Sequence, residues 1–422
     1  MTRLIEMLIS LAIVVALLLL VAVLLPSQRN LVETVETNRK MTIVYDTLNS
    51  LRRFEDWNPL VLRDPRVSLR LSGPESGVGA RLDYQSTVSG IDSGSWEIVE
   101  SVPNERIKYA LENNQRGTNK TMTFILKPTG RGGRNVEITQ AYHVDYGWNL
   151  IGRYAGLYAS RNVGEDMKLG MRRLMTALAS VPNVDYKMQG SRLENLRVVD
   201  LPAEDALVVS AGSVERNNLT IQNSMKSNME WINRTIAANN LEKAGPMRIV
   251  STELGRENYA FDVVQPVRRA GSGADDAEDA GDEAENGDGD EAGNGNGDQA
   301  EGAEAEGAAP IRVPTQPPAP VRAATGEPLD DLELLGPVQY ERLPARKAAA
   351  ATYVGYMAEL ENVRNALRAW AMTQDEEPTG RPYEVYKTGV DSAFTPDENN
   401  QPRGQFDVYW DLKSAQSAPA AQ

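Results

Sequence analysis

The residues of this chain with the types and spacing to hold a small molecule sit at alternating positions of apolar strands. In "RIKYALEN", Ile107, Tyr109 and Leu111 share a face, with Arg106 and Lys108 opposite. In "KTMTFILKP" the shared face carries Met122, Phe124 and Leu126. In "NVEITQAYHVDY" it carries Val136, Ile138, Gln140, Tyr142 and Val144. Side chains alternate across a strand, so each set lines one surface. Tyr109, Gln140 and Tyr142 are the polar groups on those surfaces. They read either as core residues bonded to backbone or as groups that orient a ligand in an apolar space. Trp57 in "DWNP" has the same two readings, packing over the open end of a sheet or an aromatic site. His143 alternates onto the face opposite Tyr142 and reads as solvent-facing.

The residue inventory removes much other chemistry. The chain has no cysteine and one histidine, so thiol catalysis, disulfides and multi-His metal sites are excluded. "GRGGR", Gly130 to Arg134, lies between two strands and opens no helix, so it reads as a hairpin turn and not a phosphate cradle. "DGDEAGNGNGDQ" has Ala292 and Gln299 where a calcium loop needs a ligand and a glutamate. No metal and no cofactor is expected. The net charge is −15, and residues 274–307 hold fourteen acids and no base. The rest therefore sums to −15 + 14 = −1. No clustered basic excess stands in the sequence, and no nucleic-acid partner is expected.

These residues need elements to position them. Met7 to Leu25 is nineteen residues without a charge, about 28 Å as a helix, close to the ~30 Å of a bilayer core. Residues 1–28 are read as a transmembrane anchor, with a cleaved signal peptide as the rival. The expected partner is the membrane, with the remainder on its extracytoplasmic (periplasmic) side.

Residues 29–183 read as one α+β domain. A strand, "NLVETVETN", precedes short helices ended by Pro59. Six strands follow, separated by turn signals such as "GPESGVG" and "PTGRGGR". Their short connections predict an antiparallel meander. In "GEDMKLGMRRLMTALASV", Met167, Met171, Leu174 and Leu178 form one apolar helical stripe. A curved sheet gripping a long helix encloses a space. "DWNP", "GVGA", "GSWEIVESVPNERI", "GWNLIGRYAGL" and "GEDMKLGMRRL" resemble, in order and spacing, the polyketide cyclase/dehydrase-like branch of the START-like (SRPBCC) superfamily. The resemblance implies a helix-grip fold with an interior hydrophobic cavity. It does not by itself imply cyclase activity.

A repeat follows. "LPAEDALVVSAGS" from Leu201 and "LPARKAAAATYVG" from Leu343 open alike, and each precedes a helix with a tryptophan, Trp231 or Trp370. Each copy ends in a strand with an acid among apolar residues, Asp262 or Asp407. Residues 184–268 and 335–414 thus read as duplicated strand-helix-strand-strand halves. Between them lies a disordered acidic and Pro-rich insertion, 269–334, and after them a tail, 415–422. The acidic tract reads as a solvated spacer or as a site for a protein partner. "TYVGYMAELENVRNALRAW" and "GRPYEVY" resemble the gyrase-inhibitor-like, effector-binding domain of bacterial multidrug-responsive regulators. That resemblance implies a ligand groove between the halves, with Asp407 at the place of the family's buried glutamate. Tyr353, Tyr356, Tyr383, Tyr386 and Trp410 are then its candidate aromatic walls. The whole reads as a membrane-anchored protein with two modules binding apolar or amphipathic small molecules. The alternatives are a cyclase-like or hydrolytic enzyme using Tyr and Asp, and an envelope adaptor.

Overall fold

The computed structural model describes residues 2–187, 193–254, 257–271, 328–395 and 404–413. The acidic tract, the proline-rich run up to residue 327 and the tail lie outside the described residues. The chain forms two compact units, one of Met1–Asp200 with Arg346–Gln422 and one of Leu201–Ala345.

The first unit opens with α1 (Thr2–Leu24), in which Met7–Leu24 has mean hydropathy 3.3. It is long and apolar enough to cross a membrane, a test that a signal sequence also meets. The chain continues through β1 (Gln28–Thr37), α2 (Met41–Leu48), α3 (Phe54–Trp57) and α4 (Leu60–Arg63). Pro59 does not simply end the helical stretch. With φ −72° and ψ −6° it caps α4, a position where the missing N–H costs nothing.

Six strands then run as a meander: β2 (Ser68–Ser72), β3 (Arg81–Gln85), β4 (Ser93–Val102), β5 (Arg106–Asn113), β6 (Thr118–Thr129) and β7 (Asn135–Asp145). The sheet order is β1-β7-β6-β5-β4-β3-β2. β1 pairs antiparallel with β7, with Leu31 opposite Tyr142 and Val35 opposite Ile138. α5 (Leu150–Ala155) and α6 (Ala159–Ser180) close this part. Met167, Met171, Leu174 and Leu178 of α6 are all buried, the stripe expected from their spacing.

The remaining elements in chain order are β8 (Leu193–Leu201), β9 (Glu204–Glu215), α7 (Asn218–Ala238), β10 (Leu241–Lys243), β11 (Arg248–Leu254), β12 (Asn258–Arg269), β13 (Gln339–Leu343), β14 (Arg346–Gly355), α8 (Leu360–Thr373), β15 (Pro378–Tyr386), α9 (Gly389–Phe394) and β16 (Gly404–Leu412). In the second unit the strand order is β13-β9-β12-β11, with β10 added on β12. α7 packs on β9 and β12, and the Asn217 side chain caps it by accepting from the Leu219 and Thr220 amides.

In the first unit the order is β15-β16-β14-β8. α8 covers one face, where Arg364 donates to both oxygens of the fully buried Glu384. α8 also packs on α2. At that seam the Tyr186 hydroxyl donates to Asp46 Oδ2 at 2.8 Å and stands 3.3 Å from Thr373 Oγ1. Tyr186 and Asp46 are buried, which ties the seven-stranded part and the C-terminal strands into one unit.

Candidate binding cavity

The alternation of β7 is complete, with Val136, Ile138, Gln140, Tyr142 and Val144 buried and their neighbours half-buried. The face of the sheet towards α6 is therefore apolar. Much of the space beneath it is filled by rings. Phe54, Trp57, Trp96, Tyr109 and Phe124 meet edge-to-face at centroid distances of 5.3 to 6.0 Å, the geometry aromatic quadrupoles favour. Tyr109 donates its hydroxyl to the Leu48 carbonyl, serving one of the open carbonyls at the end of α2. Burial, then Tyr45, holds that hydroxyl well above the usual phenol range, so it stays protonated. Tyr109 and Phe124 are thus structural rings behind the cavity and do not line it.

What the rings leave open is a cavity of about 130 Å³ walled by Trp57, Tyr84, Trp96, Leu111, Met122, Gln140, Tyr142, Val163 and Met167. Two glycines shape it. A Cβ on Gly94 would stand 2.4 Å from Tyr84 Oη and 2.2 Å from the Glu112 carbonyl oxygen. Only glycine there lets the Tyr84 ring cross β4 into the wall. A Cβ on Gly170 would stand 3.4 Å from the Trp57 oxygen and from Pro59 Cδ, so α6 rides close over the Trp57–Pro59 segment. At the rim Arg63 and Asp166 pair at 2.5 Å. Burial raises the Asp166 carboxyl above its ordinary range, against the pull of Arg63.

Two of the lining residues carry a buried polar atom with no hydrogen-bond partner among the described residues, Trp57 Nε1 and Gln140 Oε1. One is a donor and the other an acceptor. A buried polar group left unpaired costs about 1–3 kcal/mol. Tyr142 adds a hydroxyl that burial keeps protonated, hence a donor. A cavity of the order of 150 Å³ accepts a benzene ring, so this one has room for a group of about that size.

Of the residues expected from sequence, Gln140 and Tyr142 line the cavity, and His143 lies outside it. Its Nδ1 is 2.7 Å from Asn30 Oδ1 and its Nε2 3.3 Å from Asp145 Oδ1. Trp96, Tyr84, Arg63 and Asp166 were not anticipated. Trp96 was findable: it lies one strand step from Ile98 and opposite Leu111.

The C-terminal candidates fall on two faces of one sheet. Register pairs Asp407 with Thr352 and Val385, and Phe406 with Tyr353 and Tyr386. Strand alternation therefore places Asp407 opposite the face that carries Tyr353, Tyr386 and Trp410. Asp407 accepts from Thr352 Oγ1 at 3.1 Å and lies 3.5 Å from Lys387 Nζ. Tyr383, stacked on Tyr409 at 5.1 Å, shares its face. On the other face Tyr353 donates to Glu359, Tyr386 meets Phe406 edge-on at 5.0 Å, and Arg368 lies 5.6 Å from the Trp410 ring centre. Tyr356 is exposed. These residues do not assemble as one cluster, because an acid and its strand neighbours at odd spacing point apart.

Residues 28–179 match the family model described as polyketide cyclase / dehydrase and lipid transport. No curated protein matches the chain significantly. Among solved structures, the chain is similar to truncated norcoclaurine synthase from Thalictrum flavum, at 13% identity and TM-score 0.29, over 36% of this chain and 93% of that one. It is similar to protein CV1439 from Chromobacterium violaceum at 16% identity and TM-score 0.26, over 36% and 96%. It is also similar to the EcmrR C-terminal domain at 10% identity and TM-score 0.31, over 52% and 98%.

Proposed function

We propose that this chain is a membrane-anchored binding protein whose helix-grip cavity takes a hydrophobic molecule carrying one hydrogen-bonding group. The carrying observation is the unpaired donor and acceptor, Trp57 Nε1 and Gln140 Oε1, on two residues that line an aromatic-walled cavity. The family matched by residues 28–179 supports a hydrophobic ligand class. Burying ~120 Å² of a ring contributes about 3 kcal/mol, and the two polar atoms select its orientation. The test is titration of the full chain in detergent with 2-naphthol, with native mass spectrometry of protein taken from its own membranes. Saturable binding weakened by Trp57→Phe and Gln140→Met supports the reading. Binding indifferent to both sinks it.

A second reading, proton-transfer catalysis, draws on Asp166, a half-buried carboxylate on the rim with a raised pKa. Its signature is a turnover that Asp166→Asn abolishes while naphthol binding persists.

We further infer that residues 184–268 and 335–414 are duplicated halves of a gyrase-inhibitor-like effector-binding module. The order β8-β9-α7-β11-β12 parallels β13-β14-α8-β15-β16. The first strand of each half lies beside the second strand of the other, β13 on β9 and β8 on β14. Such exchange explains why the compact units cut across the halves. Expression of 335–414 alone tests it: a cooperatively folded fragment refutes the exchange. We place the part of the chain after the apolar helix on the extracytoplasmic side of the membrane. Labelling of an introduced Arg131→Cys by an impermeant maleimide in intact cells checks this, and absence of labelling reverses the assignment.

A further inference from the structure

We propose that the segment from Trp148 to Tyr158 is a foot that seats this unit on the lipid bilayer at the end of α1. The inference rests on reading α1 as a membrane span. Four large apolar residues in this short segment face solvent: Trp148 at 80%, Ile151 at 65%, Leu157 at 49% and Tyr158 at 62% exposure. An apolar group of this kind on a folded surface marks an interaction site.

The position of the segment identifies its partner. The buried Arg153 donates from Nη1 to the Val23 carbonyl at 2.8 Å and the Leu25 carbonyl at 3.2 Å, with Ala22 O at 3.4 Å. These are carbonyls that the end of a helix leaves open, and a cation there also meets the negative end of the helix dipole. Tyr154 donates to the Leu18 carbonyl at 2.7 Å. Leu18 lies six residues before Leu24, about 9 Å back along the helix axis. β1 begins at Gln28, so only three residues separate helix from strand. The apolar helix is therefore hydrogen-bonded directly to α5 and not linked to it by a tether alone.

If Met7–Leu24 spans the bilayer, its ~27 Å reaches close to the full apolar thickness. α5 then lies at the level where acyl chains give way to headgroups. Trp and Tyr favour that level because their rings are apolar with a polar edge. Charge agrees. From Tyr146 to Gly164 the chain has two arginines, Arg153 and Arg161, and no acid. α6 starts directly after Tyr158, and Val163 on it already lines the cavity. The cavity wall thus begins about one helical turn from the bilayer contact, which suits a ligand that partitions into lipid.

The absence of cysteine makes site-directed spin labelling direct. The full chain, carrying Ile151→Cys, Leu157→Cys, Leu17→Cys or Arg131→Cys, is reconstituted in vesicles of phosphatidylcholine and phosphatidylglycerol. Accessibility of each label to oxygen and to a water-soluble nickel chelate is then compared. Labels at 151 and 157 are expected to favour oxygen over nickel several-fold relative to 131, and the label at 17 to be deepest. If 151 and 157 match 131 while 17 is deep, α1 spans but the foot is refuted. If 151 and 157 are shielded from both reagents, a protein surface covers the patch, and the lipid assignment fails. If 17 is itself water-accessible, the membrane reading fails and takes the foot with it.

Discussion

Replacing Gln140 by methionine should stabilise the free protein and weaken ligand binding, two effects of opposite sign from one atom. Gln140 is 4% exposed, and its Oε1 is unpaired. Methionine has a similar length and removes the polar group, so it relieves an unsatisfied acceptor worth about 1–3 kcal/mol. Water entering the cavity meets part of that demand, which puts the expected gain near the lower end, about 1 kcal/mol. For a unit of this size that is a rise of about 2 °C in Tm. The ligand loses its hydrogen bond to Gln140, so affinity for 2-naphthol should fall about 5- to 10-fold, the equivalent of ~1–1.4 kcal/mol. Tm is read by differential scanning calorimetry and affinity by naphthol fluorescence, on the same preparations. A binding-site group is expected to sacrifice stability in this way. If Gln140→Met lowers Tm by 2 °C or more, the amide is a satisfied structural group, and the argument from its unpaired oxygen collapses.

Three further outcomes are expected. Gly94→Ala forces a Cβ into the Glu112 carbonyl and the Tyr84 ring; the cost should be about 3 kcal/mol, read as lost Tm with loss of naphthol binding. Arg364→Ala strands Glu384, which is fully buried; urea denaturation should show a loss of about 3–5 kcal/mol, and a change under 1 kcal/mol would contradict the pairing. Asp375 is pushed up to about 6, first by burial, then by Asp56, with Glu55 adding to it against Arg53. A raised carboxyl favours the protonated folded state, so this group destabilises increasingly as pH rises from about 4 to about 6 and evenly above that. The Asp375 side chain is exposed to solvent, which screens these interactions, so the effect is small. Asp375→Asn should raise Tm slightly at pH 7.5 and not at pH 4, and an equal shift at both would refute the linkage.

Short-range pattern made much of this protein readable without a structure. Nineteen uncharged residues define the N-terminal helix because a helix satisfies its own backbone. Alternation and turn residues yield the six-strand meander, since period two and short connections leave few topologies. The stripe Met167–Leu178 follows from helical period alone. Gln140 and Tyr142 were legible for the same reason, as polar residues at core positions of a strand. Tertiary structure decided the rest. Whether a ring on the inner face fills space or bounds it depends on its neighbours. Tyr109 and Phe124 share a face with Met122 and Tyr142, yet Phe54 and Trp57 pack against that ring cluster and make it core. Arg63 and Asp166 lie far apart in sequence and meet only because α4 and α6 approach. The opposition of Asp407 to Tyr386 follows from register, which no local pattern carries. The seam of Tyr186, Asp46 and Thr373 joins segments that composition separates. Such contacts are set by long-range packing, where many sequences share one local pattern and only the folded chain selects among them.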